Sequence, residues 1–217
     1  MLWDCSNRYT SKMIFLKVKY RISIILYNLG LPGLISVILI MMGIYSKLNR
    51  PIIIVEYNPE WTFWFENEKK HLINALKDNV LLIEHIGSTA VPGLAAKPVI
   101  DIALGINDFK RSERIIPIIE NLGYHYVPEF EKILPERRFF WKGSPKVHTY
   151  HIHMTEITNP LWTNPIIFRD YLTNNPDVLY RYIKLKRKLA DQCGNDIEKY
   201  VNGKTEFIEH VLREIKD

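Results

Sequence analysis

One short segment of this chain, residues 99–106, constrains the fold and the chemistry more than any other. Its eight residues read VIDIALGI, and seven of them are apolar or glycine. An uninterrupted apolar run of this length is typical of a central strand that is covered on both faces. Asp101 is the exception within it, and a buried carboxylate is costly unless other groups pair with it. We therefore expect a central strand that carries a functional acid.

The rest of residues 51–217 predicts one α/β domain without internal repeats or low-complexity tracts. Alternating or β-branched stretches predict strands, and apolar residues at a spacing of three and four predict helices. The strands are predicted at 52–55, 80–86, 99–106, 124–127, 138–142 and 147–155. The helices are predicted at 60–77, 112–122, 165–173, 177–192 and 196–216. Strands and helices mix in the first part of the domain, and helices alone make up its C-terminal part.

A predicted strand ends at a Gly-Ser pair that suits phosphate binding. Gly87 lets a backbone approach a phosphate closely, and the hydroxyls of Ser88 and Thr89 can donate hydrogen bonds where a helix begins. A Gly-Ser pair alone is common, but here twelve residues separate Ser88 from Asp101 on the next strand. Lys97 lies between the loop and that strand, where its ammonium group can neutralise a phosphate.

Two histidines of the segment HTYHIHM are predicted to share a face with Asp101. Side chains alternate along a strand, so His151 and His153 point to the same side of the sheet. If this strand neighbours the strand 99–106, the three side chains form one polar patch over the Gly-Ser loop. A carboxylate with imidazoles can hold a divalent metal or act in acid-base catalysis. The alternative for both histidines is an exposed sheet face. His148 is expected to face solvent, and His85 to hydrogen-bond the loop into shape.

Several motifs together resemble the GrpB family of nucleotidyltransferase-like proteins. They are VEYNPEW at 55–61, EHIGSTAVPGLAAKPVIDI at 84–102, HTYHIHM at 148–154, FRDYL at 168–172, YIKLKRKLA at 182–190 and YVNGKTEFI at 200–208. The resemblance runs from about residue 51 to the C-terminus and leaves out residues 1–40. It implies an α/β (α+β) fold like that of DNA polymerase β, a nucleotidyltransferase-like mixed sheet flanked by helices, with a helical C-terminal part.

The resemblance also implies which residues would act. In that superfamily a Gly-Ser loop precedes a strand with an acid-x-acid pair, and a third acid lies on a later strand. Gly87 and Ser88 match the loop, and Asp101 matches the first acid. Ala103 stands where the second acid belongs, and the later strand offers the two histidines instead. This departure speaks against the usual two-metal arrangement.

The function expected from these residues is nucleotidyl transfer from a nucleoside triphosphate to a small molecule or a protein side chain. A divalent ion, Mg²⁺ or Mn²⁺, would be held by Asp101 with His151 and His153. Lys97 and Arg138 would offset the charge of the phosphates. Two alternatives stay open. One is a non-catalytic module that binds a nucleotide or a phosphate ligand, and the other is a His/Asp metal hydrolase.

Charge is distributed unevenly along the chain. Residues 1–50 hold seven basic residues and one acid, whereas residues 51–217 hold 22 basic and 23 acidic residues. A near-neutral domain does not favour a long nucleic acid as a partner. The run KLKRK at 184–188 predicts a solvated helix face, in which Lys186 stands out because it occupies a family-like position. Cys5 and Cys193 cannot form a disulfide framework, which favours a reducing, cytoplasmic compartment.

The first 50 residues are interpreted as a basic segment outside the domain. Within them, residues 22–44 form an uncharged stretch of 23 residues, which is long enough to span a bilayer. One interpretation is a transmembrane helix that anchors the domain to a membrane. The other is an upstream extension that precedes a true start at Met41 or Met42, which leaves the domain in the cytoplasm.

Overall fold

The computed structural model describes residues 52–132 and 134–216. The strands are β1 (Leu82–Ile86), β2 (Ile100–Ile106), β3 (His125–Tyr126), β4 (Arg138–Gly143) and β5 (His148–Glu156). The α-helices are α1 (Glu60–Leu76), α2 (Ile116–Asn121), α3 (Pro160–Asn174), α4 (Pro176–Cys193) and α5 (Ile197–Lys216). Short 3₁₀ helices lie at Lys77–Asn79, Ser88–Ala90, Phe109–Ile115 and Pro128–Lys132.

The five strands form one mixed sheet in the order β1-β2-β5-β4-β3. The central pair, β2 and β5, is parallel, and the other three pairs are antiparallel. In the central pair Asp101 lies opposite His151, and Ala103 lies opposite His153. The predicted mixed sheet with a helical C-terminal part is therefore confirmed, and so is the adjacency of the two strands that carry the polar residues.

The two faces of the sheet are covered by different helices. Helix α1 buries an apolar stripe against one face, where residues spaced by four and seven meet the inward side chains of β2 and β5. Its buried members are Trp61, Phe65, Leu72 and Leu76, and they pack against Ile102, Leu104 and Ile152. On the other face, Ala103 packs with Ile86 and Trp162 of α3. Because Asp101 lies on that second face, the C-terminal helices cover the site.

Helix α3 is anchored to the strand that leads into the Gly-Ser loop. Arg169 Nη1 donates to Glu84 Oε2 at 2.8 Å and to the carbonyl oxygen of His85 at 2.7 Å. Its Nε donates to Asp170 Oδ1 at 2.7 Å. Two charge-assisted contacts of one guanidinium fix the helix against β1, just before the loop begins, and the third, to Asp170, lies within the helix.

Three predicted elements differ most in extent or type from the observed ones. Helix α3 begins at Pro160 because the side chain of Asn159 accepts a hydrogen bond from the amide of Leu161, and Pro165 lies inside the helix. The predicted helix 112–122 is a 3₁₀ helix at Phe109–Ile115 that continues into α2. The predicted strand 52–55 makes one isolated bridge, Val55 to Ala96, within the described residues.

None of the helices in residues 52–132 and 134–216 combines the length and the apolar character that a membrane span requires. The apolar stretch 22–44 and the alternative starts Met41 and Met42 lie outside the described residues.

Candidate functional site

The Gly-Ser loop turns sharply against the carboxylate of Asp101. Gly87 has a φ of 71°, a conformation that side-chain-bearing residues rarely adopt. A Cβ at this position would lie 2.6 Å from Asp101 Oδ2, well inside van der Waals contact. Glycine is therefore required both by the backbone conformation and by the approach of the carboxylate.

Thr89 fixes the shape of this loop and does not line the pocket beside it. Its hydroxyl donates to the carbonyl oxygen of Val99 at 3.1 Å, so the His85 Nε2 at 3.0 Å from Thr89 Oγ1 is the donor to that hydroxyl. Burial lowers the pKa of His85 to about 4, against the opposing charge of Asp101. The predicted hydrogen bond from His85 to the loop is thus confirmed, and the one hydrogen of the Thr89 hydroxyl is already donated to Val99.

Asp101, His151 and His153 meet at the centre of the site. Asp101 Oδ1 lies 3.0 Å from His151 Nδ1 and 3.5 Å from His153 Nε2. Burial alone would raise the pKa of Asp101, but the hydrogen bonds and charges of the two histidines outweigh it and hold that pKa well below its usual value. The structure therefore brings the predicted polar patch together around an ionised carboxylate.

Each histidine is oriented by a further basic residue. His148 Nδ1 lies 2.9 Å from His151 Nε2, and the ring of His148 stacks on Trp141 at 4.2 Å between centroids. His148 is buried, so the prediction that it faces solvent is wrong; the register shift between Lys142 and Gly143 lies beside it.

On the other side of the cluster, Arg137 Nη1 donates to His153 Nδ1 at 2.8 Å. A guanidinium has no acceptor, so this nitrogen of His153 carries no proton and the proton resides on Nε2, which faces Asp101. Burial, followed by the charge of Arg137, lowers the pKa of His153 to about 4. His153 is therefore neutral at physiological pH.

The three central residues fit one divalent metal ion. One ligand atom from each of Asp101, His151 and His153 lies within 4.8 Å of the others. Two imidazole nitrogens with one carboxylate oxygen suit a first-row transition metal better than Mg²⁺, which prefers oxygen ligands. Ala103 offers no ligand to a second ion, so the set fits one metal rather than two.

A pocket of about 190 Å³ opens next to this cluster. Gly87, Ser88, Asp101 and the two histidines line its polar end. Helices α3 and α5 supply most of the apolar residues of its lining. These residues include Leu161, Phe168, Leu172, Val201, Ile208 and Leu212.

The C-terminal helices contribute three residues whose role the sequence does not predict. Tyr182 and Lys204 are not predicted as site residues, and Lys186 stands out in the sequence without an assigned role. Tyr182 lines the pocket, and its hydroxyl interacts with Ser88. Lys204 lines it as well, and burial lowers the pKa of Lys204 to about 8 although the charge of Asp101 opposes this shift. Lys186 is 1% exposed, donates to the carbonyl oxygen of Ala95 and lies 5.0 Å from the ring of Tyr182. The motifs YIKLKRKLA and YVNGKTEFI contain these residues, but their helical spacing does not show which side chains face the pocket.

Arg138 and Lys97 occupy different places from those expected. Arg138 pairs with Met154 in the β4–β5 register and therefore lies on the sheet face opposite Asp101. There it is buried, 3.6 Å from Glu131 and over the ring of Phe109. The structure does not bring Arg138 to the pocket; its neighbour Arg137 lines the pocket instead. Lys97 is half-buried and does not line the pocket, but its charge reaches Lys204 and lowers the pKa of that residue.

Comparison with known proteins settles the family. The profile described as GrpB protein matches residues 51–214. The chain belongs to the GrpB family. The crystal structure of conserved protein GrpB from Enterococcus faecalis is similar, with a TM-score of 0.68 and 38% sequence identity. That similarity covers 75% of this chain and 96% of the Enterococcus chain.

Two curated proteins extend this comparison of the GrpB domain. The protein YqkA of Bacillus subtilis is 35% identical over 173 residues, which cover 80% of this chain and 49% of YqkA. The matched region therefore spans about half the length of that relative. A protein named dephospho-CoA kinase from Mycolicibacterium paratuberculosis is 26% identical over 192 residues, which cover 77% of this chain and 46% of the kinase.

Proposed function

We propose that this GrpB-family protein is a metal-dependent nucleotidyltransferase that acts on a hydroxyl group of a small molecule or a protein. The observation that carries the proposal is the contact between Asp101 and the Gly-Ser loop at the polar end of one pocket. A loop that can cradle phosphates and a carboxylate that can hold a cation lie within reach of the same ligand.

The triphosphate would occupy the polar end of the pocket. Ser88 offers a hydroxyl there, and the guanidinium of Arg137 and the ammonium of Lys204 line the same cavity. Lys97 adds a positive charge behind Lys204. These donors would bind phosphate oxygens and compensate their charge, which favours a polyanion over a neutral ligand.

Asp101, His151 and His153 would hold one divalent metal ion, for which their nitrogen and oxygen ligands favour Mn²⁺ over Mg²⁺. When bound, such an ion supplies positive charge that neutralises phosphate oxygens. The chain contributes the orientation of one ligand, because His148 fixes the outer nitrogen of the His151 imidazole. For His153 to bind the ion through Nε2, the proton on that atom must move to Nδ1, which then no longer accepts from Arg137.

In the proposed reaction the acceptor hydroxyl oxygen bonds to the α-phosphorus of the nucleoside triphosphate. The bond from that phosphorus to the bridging oxygen of the β-phosphate breaks, pyrophosphate leaves with the bonding electrons, and the hydroxyl proton passes to water. Arg137 and Lys204 would stabilise the charge that develops on the leaving pyrophosphate.

The similarity to a protein named dephospho-CoA kinase supports a role linked to nucleotides. It covers less than half of that protein, so it supports the class of ligand and not the kinase activity itself.

Labelled triphosphates test the proposal. The purified protein is incubated with Mn²⁺ or Mg²⁺ and each of four α-labelled nucleoside triphosphates, with and without cell extract as the source of acceptor. Labelled product and equimolar pyrophosphate are expected for the wild type and not for Asp101→Ala. Absence of both from the wild type under all conditions would contradict nucleotidyl transfer.

Ala103 favours a second candidate function, a module that binds a nucleotide without turning it over. The superfamily pattern places an acid at this position, and here the side chain is a buried methyl group packed with Ile86 and Trp162. A site with one carboxylate can still bind a phosphate ligand. Tight binding of a triphosphate with no pyrophosphate release would favour this candidate.

A further inference from the structure

A buried amide faces the pocket without a hydrogen-bond partner. Asn164 of α3 is 8% exposed and lines the cavity. Within residues 52–132 and 134–216 its carboxamide makes no hydrogen bond, whereas the amides of Asn174 and Asn175 both donate to backbone carbonyls one turn earlier. Because Asn164 lines the cavity and has no partner within the described residues, its carboxamide is available to hydrogen-bond a ligand that enters there.

Asn164 lies among the apolar residues of the pocket wall. Phe168 follows it by one helical turn, and Leu161 precedes it by three residues on the same helix. Ile208 of α5 lines the same pocket. The ligand part that reaches this end must be largely apolar and must carry hydrogen-bonding atoms at one edge.

Polar and apolar residues line one and the same cavity. Ser88 and Asp101 line the same pocket as Asn164 and Phe168, and Tyr182 lies between the loop and the helices. One ligand can therefore present charge at the Gly-Ser loop and an apolar ring between the helices. A nucleotide has these two parts, joined by a sugar.

We propose that Asn164 hydrogen-bonds the edge of the nucleobase and makes the protein select one nucleoside triphosphate over the other three. This inference rests on the proposed function and names the residue that sets its specificity. A carboxamide offers a donor and an acceptor side by side, and it can pair with an adjacent acceptor and donor on a base edge. The ring of Phe168, in edge contact with Tyr182 at 5.4 Å, is available to pack on the base.

Binding measurements on matched variants test this role. Dissociation constants are measured in Mn²⁺ for ATP, GTP, CTP, UTP and inorganic tripolyphosphate, which has no base. The variants are Asn164→Leu, which keeps the volume without hydrogen bonds, and Asn164→Asp, which accepts but does not donate when ionised. Thr163→Ala, at the exposed neighbouring position of α3, is the control.

We expect the wild type to bind one triphosphate roughly tenfold tighter than the others or more. Asn164→Leu should reduce that affinity to the level of the other three and leave tripolyphosphate binding unchanged. Asn164→Asp should alter the order of preference, and Thr163→Ala should behave as the wild type. Thermal unfolding verifies that each variant is folded, and Asn164→Asp, which differs from asparagine by one atom, provides a second variant if Asn164→Leu does not fold.

The failure of this inference is distinguishable from failure of the proposed function. If tripolyphosphate and all four triphosphates bind equally, or if Asn164→Leu retains the preference, the role of Asn164 in base recognition is overturned while the phosphate site stands. If Asn164→Leu changes only the KM for an acceptor, the cavity holds the acceptor and the inference is overturned as well. If no triphosphate and no tripolyphosphate binds the wild type, the proposed function itself is contradicted.

Discussion

His151 Nδ1 lies 3.0 Å from Asp101 Oδ1 across two adjacent parallel strands, where the two residues occupy the same register position. This contact makes the carboxylate of a central strand tolerable in the interior, because imidazoles compensate the charge that burial would penalise. The same carboxylate lies against the glycine of the Gly-Ser loop.

Gly87→Ala is expected to disrupt the site more than the fold. Gly93 is the matched control, since it also has a positive φ, of 79°, but a Cβ there would meet only Leu179 at 4.0 Å. Each alanine should cost about 1 kcal/mol of stability from its backbone conformation. Gly87→Ala should in addition displace Asp101 and weaken triphosphate binding by about tenfold or more. Equal binding by the two variants in titration calorimetry would contradict the contact between loop and carboxylate.

Arg137→Gln and Arg138→Gln should have opposite effects although the residues are adjacent. Arg137 lines the pocket and orients His153, so its loss should weaken triphosphate binding by about tenfold and reduce the salt dependence of binding. Arg138 lies on the other face, so Arg138→Gln should lower the melting temperature and leave binding unchanged. Filter binding at two salt concentrations distinguishes them, and a larger binding defect for Arg138→Gln would refute the assignment of faces.

Lys186→Met should change how stability depends on pH. Burial, with a smaller contribution from the charge of Lys204, lowers the pKa of Lys186 to about 6 from a usual value of 10.5. The unfolded chain therefore binds more protons at this residue between those values, and the residue's contribution to stability rises with pH from about 6 to 10.5. In Lys186→Met this increase of stability with pH should disappear. Lys188→Met, at an exposed position of the same helix, should retain it. Urea unfolding at pH 6.5, 7.5, 8.5 and 9.5, roughly even steps across this window, measures the free energy of unfolding. If that free energy depends on pH in the same way in both variants, a buried neutral Lys186 is contradicted.

Arg169→Gln should loosen helix α3 from β1. The side chain donates to Glu84 and to the carbonyl oxygen of His85, and hydrogen bonds that involve charged groups contribute about 2 kcal/mol each. We expect a loss of about 2 to 4 kcal/mol in the free energy of unfolding. Arg181→Gln, on the exposed face of α4, should leave it unchanged. Chemical denaturation checks this, and unchanged stability of Arg169→Gln would show that the helix is held by its apolar contacts alone.

Much of the fold and the centre of the site could be predicted because strands impose a period of two. The alternation in VIDIALGI and HTYHIHM placed Asp101, His151 and His153 on one face, and the structure shows them there. Arg138 was misplaced for a related reason. The face of a strand residue depends on its register with a neighbour, and the pairing of Arg138 with Met154 is not encoded in either strand alone.

The helical half of the site could not be predicted from periodicity. Three helices pack across the sheet face and so bring Lys204, Tyr182 and Asn164 to the pocket. Helical spacing identifies the apolar face of each helix but not the element against which that face packs. His148 was misjudged because proximity to a turn suggests exposure, whereas its ring is buried by stacking on Trp141. Lys186 lies in a basic run typical of solvated faces, yet it is buried beside Tyr182.

The central claim is that Asp101 couples a divalent metal to nucleotide binding at the Gly-Ser loop. Titration calorimetry with each nucleoside triphosphate, in Mn²⁺ and in excess chelator, tests this claim most directly. The proteins compared are the wild type, Asp101→Asn and the exposed control Asp191→Asn. The wild type and Asp191→Asn should bind a triphosphate about tenfold tighter or more with Mn²⁺ than with chelator, and Asp101→Asn should show no dependence on the metal. An Asp101→Asn protein that binds as tightly as the wild type, with the same dependence on Mn²⁺, would contradict the account.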